Sequence, residues 1–308
     1  MSWANCASPV ALTKIVVEPG NSPYTFDTNS ERYDYEGETL QNNATILHAQ
    51  TIRGTRSEAK ERTREGPSFV SGVLAIPVDV AALDLWLPRI LGANASGTTF
   101  ALAETLPYFG VLADLGGNTH EFKNCLVQRA IFRGEAYNGD GVPRPLTLEL
   151  HIIGSEEDTA TTFPSVSLST AANTVPLMLE DGVITLLSTA RSVMKFAITI
   201  DNMIIPRWST GSLFPTCLIP GGRRVNVQMI TPYSTNETGL YGQDPSGSAA
   251  TMAFTNGNTG VTFSMPALSF PSRTPHAVGR GEVVLRLNGT ARKSGSTAEL
   301  TVTNDSTV

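Results

Sequence analysis

The chain has 308 residues, 41% hydrophobic and 16% charged, and its 22 Lys and Arg against 28 Asp and Glu give a net charge of −6. That balance is too apolar for a disordered chain, too weakly charged for a coiled coil and too acidic to grip nucleic acid through bulk charge. No basic region followed by an apolar run opens the sequence, and the most apolar stretch, 73–91, is broken by Asp79, Asp84, Arg89 and two prolines, so neither a secretory signal nor a membrane span is expected.

Residues 20–68 are polar, and 53–65 alternate in charge, with Arg53, Arg56, Lys60, Arg62 and Arg64 among Glu58, Glu61 and Glu65. Such a run is either a solvated loop or an arm that docks on a neighbouring subunit, since alternating sign sets register without desolvating a core. A strand is predicted at 69–76. A helix follows, with Asp79 as N-cap, Val80, Leu83, Leu87 and Ile90 as its apolar stripe and Gly92 just past its end. Pro88 is expected to kink or shorten it. Further strands are predicted at 109–115, 121–134, 146–152, 183–188, 193–201, 224–231, 260–265, 283–288 and 298–303. In 193–201, Met194, Phe196, Ile198 and Ile200 oppose Lys195, Ala197, Thr199 and Asp201; in 146–152, Leu146, Leu148, Leu150 and Ile152 oppose Thr147, Glu149 and His151. Period two marks strands with one buried and one wetted face.

From Gly72 the order runs strand, helical segment, strand, two-strand ribbon, acidic tail, and from Gly222 a similar order repeats. This is a pattern-level duplication, not a residue-level one. It divides the chain into an arm and charged loop at 1–68 and two β-sandwich units at 69–160 and 161–308.

No catalytic constellation assembles. His48, His120, His151 and His276 share no metal-ligand spacing, and nucleophile-elbow, phosphate-loop and dinucleotide motifs are missing from the sequence. His120-Glu121 reads as a loop pair, His151 as a surface residue, and Glu156-Glu157-Asp158 as a solvated strand terminus without calcium-loop spacing. Cys6, Cys125 and Cys217 lie far apart, which suits free thiols or one incidental pair. Neither enzyme activity nor a cofactor is expected. A strand-rich chain without catalytic groups suggests a structural role in which sheet edges are completed by other subunits, closing a ring.

The segment KFAITIDNMIIPRWSTGSLFPTCLIPGGRRVNVQMITPY (195–233) has an alternating strand ending in Asp201-Asn202, a Pro-bounded link, and Gly222-Arg223-Arg224 opening the next strand. Together with Ser71-Gly72, the helix end Ile90-Leu91-Gly92 and FKNCLVQRAIFRG (122–134), it resembles the major tail tube proteins of long, non-contractile-tailed bacteriophages. The resemblance spans about residues 50–303 and implies a mainly β fold. Tandem sandwich domains, each flanked by a short helix, would contribute strands to an inter-subunit β-barrel around a lumen. It implies a virion protein assembled in the host cytoplasm, with stacked rings of itself, a tape measure protein and tail completion or tip proteins as partners. Double-stranded DNA would pass through, and no membrane is involved. With two tube domains per chain, three subunits make a pseudo-six-fold ring; a hexamer is the second choice. Expected lumen-facing residues are Thr147, Glu149, Lys195, Thr199, Asp201, Asn226 and Gln228, and segment 53–65 is the expected inter-ring contact. A wall that repels phosphate, in keeping with the net charge, is also expected. The rival functions are a phage adhesin or carbohydrate-binding protein, disfavoured by the scattered Trp3, Trp86 and Trp208, and a capsid decoration protein.

Overall fold

The computed structural model describes residues 13–20, 22–27, 30–32, 34–48, 60–92, 95–116, 118–136, 144–160, 163–166, 175–234, 240, 245–271, 274–275 and 283–305. The first half supplies strands β1 (Lys14–Pro19), β2 (Gly37–Glu38), β3 (Gln41–His48) and β4 (Thr63–Pro77), then helix α1 (Val80–Leu91). It continues with β5 (Ala95–Ser96), β6 (Thr99–Ala101), β7 (Phe109–Asp114), β8 (Thr119–Glu135), β9 (Thr147–Gly154) and β10 (Glu156–Ala160). The second half supplies β11 (Gly182–Leu186), β12 (Thr189–Arg191), β13 (Lys195–Asp201), β14 (Ile205–Arg207) and β15 (Cys217–Ile219). Last come β16 (Arg224–Pro232), β17 (Ser248–Asn256), β18 (Thr259–Ser269), β19 (Val284–Arg292) and β20 (Thr301–Asp305).

Strand pairing repeats itself. In the first half, β1-β7-β8-β10 form one antiparallel layer and β3-β4-β9-β8 another, with the long β8 shared between them. In the second half, β11-β17-β18-β20 and β13-β16-β19-β18 follow the same order, with β18 shared. Both shared strands shift register at the changeover, β8 opposite Phe109–Val111 and β18 opposite Ser248–Ala250. An extra residue there bends the strand from one layer into the other. The two halves are joined directly: β8 pairs with β13, Arg129 opposite Asp201 and Glu135 opposite Lys195. One continuous sheet, β3-β4-β9-β8-β13-β16-β19-β18, therefore runs through both halves, and among the described residues the sheets are not closed into a barrel.

The alternation predicted for 193–201 holds within β13, where Phe196, Ile198 and Ile200 are buried, but Met194, expected on the same face, lies just before the strand and is exposed. Between the layers the core stacks Phe196 on Phe254 and sets Phe132 edge-on to Phe263. Gly134 is required here, because a Cβ would stand 2.4 Å from the Phe196 ring and 2.5 Å from Leu146.

Helix α1 starts as predicted: the Asp79 carboxylate accepts from the Ala82 N–H at 2.6 Å. Gly92, at φ 106°, ends it, a conformation that a side chain would strain. Pro88 does not shorten the helix, which runs on to Leu91, with the Gly92 N–H donating to Pro88 O. Burial explains the difference. Val80, Leu83, Leu87 and Ile90 are buried as expected, and Ala82, Leu85, Trp86 and Leu91 are buried too, so packing on all sides holds the turn that Pro88 would loosen. Two side chains from the second half clamp the helix. Asn202 Nδ2 donates to Ile90 O at 3.1 Å and to Val127 O at 3.0 Å. Asn304 Nδ2 donates to Val80 O at 2.8 Å and Asp84 Oδ1 at 2.6 Å. The helix expected to flank the second unit would fall largely at 235–239 and 241–244, outside the described residues.

Three sequence readings need correction. Residues 14–48, expected as part of an arm, supply β1 and β3 to the two layers of the first half. Glu156–Asp158 is no loose terminus: it belongs to β10, whose Glu157 accepts from or pairs with His120 Nδ1 at 2.7 Å. His120-Glu121 accordingly lies in β8, not in a loop.

Candidate functional site

The register of the continuous sheet fixes which side chains share its wetted face. Thr147, Arg133, Ala197, Gln228 and Asn288 stand in one cross-strand row. Glu149, Ile131, Thr199, Asn226 and Thr290 form the next row, and Glu135, Lys195, Ile230 and Arg286 the row on the other side of the first. His151, Arg129, Asp201 and Arg224 make a fourth. All seven residues expected on the lumen side (Thr147, Glu149, Lys195, Thr199, Asp201, Asn226 and Gln228) thus lie on one face. Period-two alternation placed each on the polar side of its own strand, and the β8–β13 junction aligned the strands.

Cross-strand ion pairs run over this face. Arg129 donates through Nη2 and Nε to Asp201 Oδ2 at 2.9 and 3.2 Å, Arg133 Nη2 to Glu149 Oε2 at 2.9 Å, and Lys195 Nζ to Glu135 Oε2 at 3.0 Å. Two of the three pairs cross the junction between the halves, with opposite polarity at its two ends. Exposed pairs of this kind add little stability, but they penalise a slipped register.

The charge balance of the face differs in sign from the net charge of the chain. Six basic side chains, Arg129, Arg133, Lys195, Arg224, Arg286 and Arg292, meet only three acidic ones, Glu135, Glu149 and Asp201, among the described residues. A chain's net charge sums over its whole surface and says nothing of one face. The acids gather elsewhere, as at Glu121, Glu156, Glu157 and Asp158 on β8 and β10, where Lys123 Nζ reaches Glu156 and Asp158 at 3.2 and 3.1 Å.

His151, read as an ordinary surface residue, is half-buried on this face, with Nε2 buried and without a hydrogen-bond partner. Burial, and then the Arg129 guanidinium, push its pKa below the usual histidine value. The unfolded chain therefore binds the proton more tightly. Stability contributed by neutral His151 is full above about pH 6.5 and is lost as pH falls from there through the lowered value. Replacing His151 with Gln is expected to shrink the drop in melting temperature between about pH 7.5 and 5.5, read by circular dichroism; an unchanged drop would assign the acid sensitivity elsewhere.

A second feature is the far end of the β3–β4 ribbon. Beyond the bulge at Ala44–Ile46, Ile46 is 62% and Leu47 53% exposed, on opposite faces of the ribbon. Lys60 and Arg62 sit in a 3-10 turn at its tip, and Arg64 and Glu65 at the start of β4; all four are exposed. Arg53, Arg56 and Glu58 lie outside the described residues, as does the side chain of Glu61. The corresponding link in the second half, between β13 and β16, carries the β14–β15 hairpin and folds over the first half. Its Leu213 O accepts from the Ser68 N–H at 2.9 Å, Leu218 O from Tyr108 Oη at 3.1 Å, and Trp208 meets Phe69 edge-on.

A third feature is the outer edge of β3. Its counterpart β13 pairs on both sides, with β16 and β8, whereas β3 pairs only with β4 among the described strands. Sequence reasoning missed β3 because QNNATILH has no alternating apolar face, as fits a strand whose outer part lies on no core.

Among the described residues no group of three or more His, Cys, Asp or Glu is placed to hold a metal ion, and no helix is long and apolar enough to cross a membrane. Cys125, buried, and Cys217, half-buried, are free thiols; burial pushes the Cys125 thiol well above the usual range. The family model described as phage tail tube protein matches residues 17–304. No curated protein matches the chain.

Proposed function

From the premise that this chain belongs to the phage tail tube protein family, we propose that it polymerises as stacked rings forming the tail tube of a non-contractile-tailed phage, a conduit for genome DNA during ejection. The observation that carries this reading is the duplicated topology, with the β8–β13 junction between its halves. One sheet joins the two halves through β8 and β13, which supports reading them as two sectors of a wall. Repeating that junction between chains brings the open edge of β3 against the second-half sheet of the next copy. Three chains then close a pseudo-six-fold ring, because each supplies two sectors; a ring of six chains is the second choice. Closure removes the exposed edge that each chain would otherwise present.

In this arrangement the wetted face of the continuous sheet lines the lumen, with Thr147, Glu149, Lys195, Thr199, Asp201, Asn226 and Gln228 on the wall. The two units end at about β10 and β20, the first drawing β1 and β3 from the segment before residue 69. The segment 53–65 reaches the next ring, where docking covers Ile46 and Leu47 and pairs its alternating charges. The remaining partners are those of a tail: a tape measure protein in the lumen before DNA, and tail completion or tip proteins at the ends. The protein is structural, assembled in the host cytoplasm and carried in the virion.

Electron microscopy of the purified chain is expected to show hollow tubes with three chains per ring. Closed shells or persistent monomers would overturn the proposal, and six chains per ring would replace the stoichiometry. Reversing Lys60, Arg62 and Arg64 to Glu is expected to reduce tube length severalfold while leaving the melting of the monomer unchanged, because these side chains are exposed and surface charges contribute little to folding. Full-length tubes from that variant would remove the ribbon tip from the inter-ring contact.

A further inference from the structure

The basic side chains of the wetted face are not scattered. Arg133, Lys195 and Arg286 surround a shallow depression over Ala197, with the amides of Gln228 and Asn288 beside them. Six residues further along β19, about 20 Å away, Arg292 lies beside Arg224, one step past the register pair Val225 and Ala291. Like charges directly opposite on neighbouring strands repel, and Asp201, the register partner of Arg224 on β13, is already engaged by Arg129. Between these two clusters run the neutral side chains Thr199, Asn226 and Thr290, with Thr290 Oγ1 donating to Asn226 Oδ1 at 3.1 Å.

The carboxylates divide the cations into two sets. Glu149, Glu135 and Asp201 each hold one partner: Arg133, Lys195 and Arg129. Arg224, Arg286 and Arg292 have no ion pair among the described residues. Three forked donor groups facing solvent on one sheet, two of them in mutual repulsion, suit phosphate oxygens.

We propose that this face contacts the phosphodiester backbone of duplex DNA through Arg224, Arg286 and Arg292, while Glu135, Glu149 and Asp201 keep the other three cations occupied. This rests on the reading that the face lines the tube. The wall then touches DNA without trapping it. Each phosphate contact adds a salt-dependent increment of affinity, so engaging three cations and withholding three keeps the total small. A passing phosphate that approaches Arg129, Arg133 or Lys195 must first compete with a carboxylate already in place.

The test is binding of a fluorescent duplex of about 20 base pairs to the full chain before polymerisation. Three contacts predict a log–log salt slope of about −2.7, or roughly 40-fold weaker binding between about 50 and 200 mM salt. Replacing Arg224, Arg286 and Arg292 together with Gln is expected to abolish that dependence. Replacing Glu135, Glu149 and Asp201 with Gln, Gln and Asn frees the other cations and is expected to steepen the slope to about −5. Salt-independent or undetectable binding, a slope unmoved by either triple variant, or preference for polyglutamate over duplex would each overturn the inference. Such a failure in a protein that still forms tubes leaves the tube reading standing; a protein that forms no tubes removes the reading on which the inference rests.

Discussion

Ala44→Pro is expected to give a chain that folds and forms no rings. Ala44 is exposed and lies opposite Ser68, whose N–H turns away from β3 to donate to Leu213 O. Antiparallel pairs alternate between exchanging both hydrogen bonds and exchanging none, so the pair Ala44–Ser68 belongs to the second kind. The Ala44 N–H therefore points to the open edge. Proline there removes no bond to β4 and is tolerated, as on edge strands generally. It does remove a donor that an incoming strand requires, and its ring obstructs the approach. The melting temperature should stay within a few degrees of the parent, while sedimentation and electron microscopy show monomers in place of tubes. Tubes from folded Ala44→Pro would mean that the ring closes through some other edge, and the proposed junction would fall with them.

Asn202→Leu is expected to carry the largest cost to folding. Asn202 is 3% exposed and bridges the end of α1 to β8 by donating to the carbonyls of Ile90 and Val127. Leucine keeps the approximate volume and removes both bonds. Two buried carbonyls then lose their donor, at about 1–3 kcal/mol each, so a loss of about 2–4 kcal/mol is expected. It should appear as a lower urea midpoint with an unchanged slope. A change under about 1 kcal/mol would show that water or a shifted neighbour replaces the amide. The choice of Asn is informative beyond energy. The residue sits where β13 ends, and it fastens the second half of the chain to the helix of the first, so the same change is expected to loosen the junction on which ring geometry depends.

Much of the fold was legible because burial imposes period two on every strand that lies on the core. The strands at 109–115, 121–134, 146–152, 193–201 and 224–231 were found within about two residues of their ends because one face of each is apolar. The helix was legible from Asp79, its stripe and Gly92, since caps are local chemistry. What escaped were the segments whose environment is set from afar. β1 is held by β7, distant in sequence, and β3, which has no apolar alternation of its own, is held by β4. β10 carries three acids in a row and exists because Lys123 and His120 on β8 answer them. Pro88 was misjudged because local rules describe an exposed helix, and this one is buried nearly all round.

The sequence by itself determined the β class, the one capped helix, the outline of a duplication and the polar side of each strand, all of which follow from neighbours a few residues apart. Only the tertiary structure decided that those polar sides form one face, that β8 meets β13 while β3 pairs only with β4 among the described strands, and that the face is basic in an acidic chain. Register between strands distant in sequence is fixed by packing and by backbone pairing across the sheet, and neither leaves a mark on any short stretch of residues.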